Sequence, residues 1–323
     1  MSFAVMTDAT ANLPRSLAGE AGIGLVGVPY HIDGVEEVCL DPERFDGAAF
    51  YRALKQGASS GTSQVCPQRY IDAFEPVLQR GEDLIFLSMS SAVSGSCGSA
   101  LSAAGQLRER FPDRRVHVVD TRSVSLGEGL VALEAARCRD EGLTLDAAQA
   151  RLEAFVQRTC SLFTVDDLLY LRRSGRLAAL PARVATVLQV KPLLKADASG
   201  RAVPFAKLRG RGRALEELAA LYEALAAAPE TQTVGVVHAG CPEDAERLVS
   251  LIRGSKRPPR QILCLGCEPV TGCHVGPGAL ALFFCGEDGV REAVDEAAAR
   301  GCRVAELIRE VKDRAADALG RIK

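Results

Sequence analysis

Short apolar runs alternate with amphipathic stretches through the first half of the chain. FAVMT (3–7), GLVGVPYHI (24–32), LIFLS (84–88) and VHVVD (116–120) predict strands, and stretches near 46–56, 68–79, 96–110 and 128–141 predict helices. Compact apolar strands alternating with helices predict a parallel sheet covered on both faces, a Rossmann-like α/β/α layering. In such sheets ligands bind beyond the carboxyl ends of the strands. Three predicted strands run there into hydroxyl- or carboxylate-rich loops, TDAT (7–10), SMSSAVSGS (88–96) and DTRSVS (120–125).

The pattern changes near residue 160. SLFTV (161–165) predicts a strand, and DDLLYLRRSGRL (166–177) a short helix closing at Gly175. Two extended runs within 190–210, joined by a turn at 198–200, predict a hairpin. A helix (213–228), a strand (233–239), a helix from Pro242 and a strand (261–267) follow. In TGCHVGPGALALFF (271–284), His274 stands before a Gly-Pro-Gly turn at the entrance to an apolar strand. The expectation is an α/β domain over 1–160 and an α+β domain with mixed or antiparallel pairing over 161–323, including a helical C-terminal extension over 287–323.

Composition narrows the function classes. A formal net charge of -2 gives no basic excess for nucleic acid or an anionic membrane surface. Tryptophan is absent and aromatics are 5%, which disfavours base-stacking platforms. No apolar run approaches the roughly 18 residues of a membrane span, so no stable membrane insertion is expected. The N-terminal stretch lacks the basic and apolar regions of a signal peptide. The expected location is cytoplasmic, and the eleven cysteines are expected to be reduced.

Four chemistries compete. GxxxxGK[ST] does not occur, and GIGLVG (22–27), though it fits the letters GxGxxG, runs into a predicted strand and does not open a helix, so no nucleotide cofactor is expected. Cys264, Cys267, Cys273 and His274 have the ligand types of a zinc site, but Cys264 sits in a strand pattern, and packed core thiols are the alternative. No metal is expected. Cys97 near a helix start could be a nucleophile with a lowered pKa and His274 as its base, and Ser94 could take the same role. Finally, ASSGTSQVCP (58–67) and SMSSAVSGS (88–96) place hydroxyls before predicted helices. Hydroxyls and free helix-start N–H groups can receive a carboxylate or phosphate, or can simply cap those helices.

Taken together, TDATANLP (7–14), VPYHIDG (28–34), GTSQVCP (61–67), SSAVSGSCGSA (90–100), VVDTRSVSLGEGL (118–130), DDLLYLRRSGRL (166–177), VKPLLKADASG (190–200), KLRGRGRAL (207–215) and TGCHVGPGALALFF resemble the DegV family in order and spacing. The resemblance covers about residues 2–286. It implies a non-enzymatic fatty-acid-binding protein of the bacterial fatty acid kinase system. Such proteins hold a long-chain fatty acid in an apolar tunnel between two domains and present its carboxylate to a separate ATP-binding kinase. The resemblance assigns the carboxylate to Thr62 and Ser94, flanked by Ser63 and Gly95, with Arg176 and His274 completing the polar set. It assigns kinase contact to Arg209, with Arg211 and Arg213 as further members of that patch. The fatty acid is then the ligand and there is no cofactor. Ala9 stands where the family often has serine, and Cys97 and Cys273 where other residues are usual, so the 7–10 loop is expected to support the site. The extension from 287 lies beyond the usual family pattern and could cover a domain interface or mediate dimerisation.

Overall fold

The computed structural model describes residues 3–177, 190–299, 306, 308 and 309. The chain divides into two compact units. One is formed by the described residues up to 156 with Cys267–His274, the other by the described residues of 157–266 and those from 275 onward. The expectation that all of 161–323 belongs to the second domain is therefore corrected for Cys267–His274. That segment is held in the first unit by buried hydrogen bonds, one donated to Asn12 and one accepted from Tyr51.

The first unit is built on β1 (Phe3–Asp8), α1 (Arg15–Glu20), β2 (Ile23–Val26), β3 (Val28–Ile32), β4 (Val35–Cys39), α2 (Gly47–Lys55), β5 (Ser60–Thr62), α3 (Pro67–Gln79), β6 (Asp83–Ser88), α4 (Ser96–Arg110), β7 (Val116–Asp120), α5 (Leu126–Asp140) and α6 (Leu145–Arg158). Four strands form the expected parallel sheet in the order β2-β1-β6-β7. Every residue of β6 is buried, as a central strand covered on both faces requires. The rings of Tyr70 and Phe74 on α3 pack on Phe86 of β6 at centroid distances of 5.1 and 5.0 Å.

GLVGVPYHI is not one strand. It breaks at Gly27, so that β2 joins the parallel sheet while β3 pairs with β4 and β5 in a separate antiparallel sheet. Gly27 lies close under β4, where an added Cβ would meet a methyl of Val38 at 2.7 Å. Asp33 and Gly34, at φ 46° and 81°, make the turn between β3 and β4, the left-handed pair that a two-residue hairpin favours. The third strand, β5, is only three residues long, and its register sets Thr62 opposite Tyr30.

The second unit contains β8 (Thr159–Thr164), α7 (Leu169–Arg173), β9 (Val190–Ala196), β10 (Ala202–Arg209), α8 (Arg211–Leu225), β11 (Thr233–His238), α9 (Pro242–Arg253) and β12 (Gln261–Gly266). Past α10 (Pro269–Val275) it continues with β13 (Leu280–Cys285) and α11 (Val290–Ala299). Among the described residues its strands run in the order β10-β9-β8-β13-β11-β12, with β11 and β12 paired in parallel and the other neighbours antiparallel. Along α8, Leu215, Leu218, Tyr222 and Leu225 recur at helical spacing and enter one core with Val234, Leu282 and Phe284. Val290, Ala293 and Val294 of α11 enter the same core, so the first part of the C-terminal extension is integral to this unit. Asp295 on α11 pairs with Lys195 of β9 and accepts a hydrogen bond from Ala198 N at 2.8 Å, while Arg291 donates to the Asp197 carbonyl. The rest of the extension, apart from 306, 308 and 309, lies outside the described residues, as does Cys302.

Candidate functional site

His274 does not stand at the mouth of a strand. It lies in α10, and its Nε2 is 2.9 Å from the Thr62 hydroxyl oxygen. Both side chains are half-buried, and either tautomer of the ring can pair with a hydroxyl that both donates and accepts. Three contacts hold α10 in the first unit. At its start, the buried Glu268 carboxylate accepts from Val270 N at 2.5 Å and Thr271 N at 2.8 Å, and Glu268 N donates to Asn12 Oδ1 at 3.0 Å. Just before that start, Tyr51 OH donates to the Cys267 carbonyl at 2.9 Å. Tyr51 also lies over Gly272, where a Cβ would meet its hydroxyl at 2.5 Å. Near its end, the Cys273 thiol donates to the Gly61 carbonyl at 3.5 Å, beside Thr62.

Ser94 and Gly95 lie in the loop that enters α4. Ser94 is half-buried and its hydroxyl accepts from Ser96 N at 3.2 Å, a local cap of the helix start. Gly95 is exposed. Gln64 ties this loop to the one that carries Thr62. Its Nε2 donates to the Gly95 carbonyl at 3.0 Å and to the Ser99 hydroxyl at 2.7 Å, and Val65 N donates to Ser96 Oγ at 3.3 Å. Ser63 is exposed, with its N–H donating to the Pro29 carbonyl at 3.3 Å.

Burial governs the electrostatics. Cys97 does not have the low pKa expected of a thiol at a helix start, because burial pushes it up to about 11. Burial lifts Cys273 likewise to about 11 and Glu268 to about 7. Asp8 and Glu128 are both buried and both raised, first by loss of water and then, for Glu128, by the charge of Asp8. Tyr70 donates to Asp8 at 2.8 Å, and Thr7 and Thr10 donate to Glu128 at 2.9 and 3.1 Å. The 7–10 loop is thereby fastened to α5.

The expected arginines are all in the second unit. Arg176 follows α7, is half-buried and donates through Nη1 to the Ser174 carbonyl at 2.5 Å. Arg209 ends β10 and is exposed. Arg213 is exposed and pairs with Glu217 at 2.5 Å. Arg211 is different. It is held between Asp244 at 2.8 Å and Asp166 at 3.8 Å, so its cation is committed inside the unit.

A family model described as an uncharacterised protein of the DegV family matches residues 2–287. The chain belongs to the DegV family. It is 36% identical over 285 residues to a DegV domain-containing protein of Clostridium perfringens, covering 88% of this chain and 98% of that one. It is similar to a solved DegV family protein of Thermus thermophilus described by its fatty acid binding, with a TM-score of 0.81, 27% identity, and coverage of 89% and 100% of the two chains. The DegV of Bacillus subtilis, described as a fatty acid binding protein, matches at a TM-score of 0.76 and 27% identity over 89% and 100%.

The DegV match ends before α11, which nonetheless completes the second unit's core. Among the described residues no group of three or more His, Cys, Asp or Glu is arranged to hold a metal ion, and no helix is long and apolar enough to cross a membrane. Gln64, Asn12, Tyr51 and Glu268 carry much of the site's architecture and were not singled out from the sequence. Glu268 had a local signal, since an acceptor immediately before a proline is a helix-start pattern. The others act over long sequence separations.

Proposed function

We propose that this DegV protein binds a long-chain fatty acid and presents its carboxylate to a separate ATP-dependent fatty acid kinase, in the cytoplasm and without cofactor or catalysis of its own. The observation that carries the reading is the Thr62–His274 hydrogen bond. It joins two polar side chains 212 positions apart, in a chain whose solved relatives at 27% identity are described as binding fatty acids.

In this reading the acyl chain lies in an apolar tunnel, and each buried methylene contributes about 0.8 kcal/mol. A carboxylate taken from water needs hydrogen-bond donors. Thr62, Ser94 and His274 supply them, with Ser63 and Gly95 shaping the loops and Arg176 as the cationic member of the set. Neutral hydroxyls bind the carboxylate without closing it in a tight ion pair, which leaves an oxygen available to accept a phosphoryl group. Phosphoryl transfer of this kind depends mainly on positioning, and the nucleotide belongs to the partner chain. Arg209 and Arg213 face solvent as a basic surface for that kinase. Arg211, the third arginine of that segment, is instead held inside the unit by Asp244 and Asp166.

The alternative is a hydrolase or acyltransferase using Cys97 or Ser94 with His274. The raised pKa of Cys97 and the pairing of His274 with Thr62 favour binding over nucleophilic catalysis. A coupled assay with palmitate, ATP and a fatty acid kinase tests the reading. Thr62→Ala combined with Ser94→Ala is expected to abolish carrier-dependent acyl phosphate formation, and an unchanged rate contradicts the proposed roles.

A further inference from the structure

His274 owes its place to a helix too short to hold itself. α10 has seven residues, and isolated helices of that length are not stable in water. What fixes α10 is therefore its anchoring, and the strongest anchor is at its start. Pro269 at the first position has no N–H to satisfy, and the next two N–H groups, of Val270 and Thr271, both bond to the Glu268 side chain. Glu268 is fully buried. Its own N–H is taken by Asn12, itself buried and held at φ 54°, a left-handed conformation that asparagine tolerates better than most residues. The loop after β1 thus grips Glu268, and Glu268 grips α10.

A helix turns about 100° per residue. If the chain met its anchor one residue out of register, His274 would be turned by that angle and leave Thr62. Given the reading of Thr62 and His274 as carboxylate contacts, on which this rests, we propose that Glu268 is the positioning residue of the site, latched through Asn12 so that α10 starts at a single place and aims His274 at Thr62. Glu268 touches no ligand in this scheme and acts through the histidine.

The test has two arms. In the ligand-free protein, amide hydrogen exchange across α10 and the NMR signals of the His274 ring are compared in wild type, E268A, E268Q and N12G. The latch predicts exchange at Val270 and Thr271 faster by about tenfold or more in E268A, a displaced His274 signal in E268A and N12G, and recovery of most of both in E268Q, which keeps one acceptor oxygen. Unchanged exchange and an unchanged ring signal in E268A overturn it. In the second arm palmitate affinity is measured by calorimetry. E268A is expected to weaken binding about tenfold when His274 is present and less than about twofold in an H274A background, because a residue acting through another is not additive with it. Equal losses in both backgrounds overturn the proposal. Wild type that binds no palmitate overturns the fatty-acid reading instead, and the ligand-free arm still decides the latch.

Discussion

Gln64 and Gly95 are joined by a 3.0 Å hydrogen bond from the glutamine amide to the glycine carbonyl, which ties together the loops bearing Thr62 and Ser94. The same amide lies close over the glycine, where a Cβ on Gly95 would fall 2.2 Å from Gln64 Oε1. Gly95 itself, at φ -74° and ψ -7°, has a backbone that alanine adopts freely. Gly95→Ala is therefore expected to act by displacing Gln64. It should cost about 1 kcal/mol of stability, in line with the loss of hydrogen bonds. In a Gln64→Ala background the same change should cost almost nothing. Denaturant unfolding of the two single variants and the double variant checks this, and additive losses contradict it.

The buried carboxyl of Glu268 makes stability depend on pH. Its pKa is raised from 4.5 to about 7 by burial, so the native protein binds the proton more tightly than the unfolded chain. A group raised in this direction is neutral in both states below pH 4.5. Its burial becomes a net cost as pH rises from there to about 7, and the cost stays constant above. The titratable groups that feel its charge are Glu128 on α5, Cys39 on β4, Tyr51 on α2, and Cys267 and Cys273 on its own segment, none of them a cation that could offset it. Glu268→Gln should therefore gain on wild type between pH 5 and pH 8, by up to about 3 kcal/mol from the size of the shift. Unfolding midpoints at the two pH values give the difference, and a pH-independent gap between the proteins contradicts it.

The extension beyond the family match should prove necessary for stability. Lys195 is almost wholly buried and its cation is matched by Asp295 on α11. Removing one partner of a buried pair leaves an uncompensated charge, which costs several kcal/mol when both are fully enclosed. Because Asp295 is partly open to water, Asp295→Ala is expected to cost about 2 kcal/mol, less than for a fully enclosed pair. Replacing Lys195 by methionine together with Asp295→Ala should recover much of it. Thermal unfolding of the three variants checks the ordering.

Much of the framework was legible because it is written locally. The four parallel strands, the hairpin of β9 and β10 and the helical face of α8 follow from runs and spacings a few residues long. Other local signals were present but unread. The Asp33–Gly34 pair marks the β3–β4 turn, and Thr144, whose hydroxyl accepts from Ala147 N at 3.3 Å, marks the start of α6. At the site the limits are physical. His274 precedes a Gly-Pro-Gly turn and an apolar strand, so local pattern favoured a strand entrance, whereas buried contacts from Asn12 and Tyr51 decide its actual place. Cys97 shows the same limit in its chemistry. A helix start lowers a thiol pKa and burial raises it, and only the folded packing tells which prevails. The meeting of Thr62 with His274 depends on tertiary structure alone.

Mass spectrometry of the purified protein tests the central claim most directly, recorded first under native and then under denaturing conditions. Non-covalent carriage of a fatty acid predicts a native mass above that of the chain by one long-chain fatty acid, lost completely on denaturation, and reduced in occupancy in Thr62→Ala with Ser94→Ala. An acyl mass that survives denaturation and maps to Cys97 or Ser94 would contradict it, as would a protein that carries no fatty acid and takes up none when palmitate is supplied.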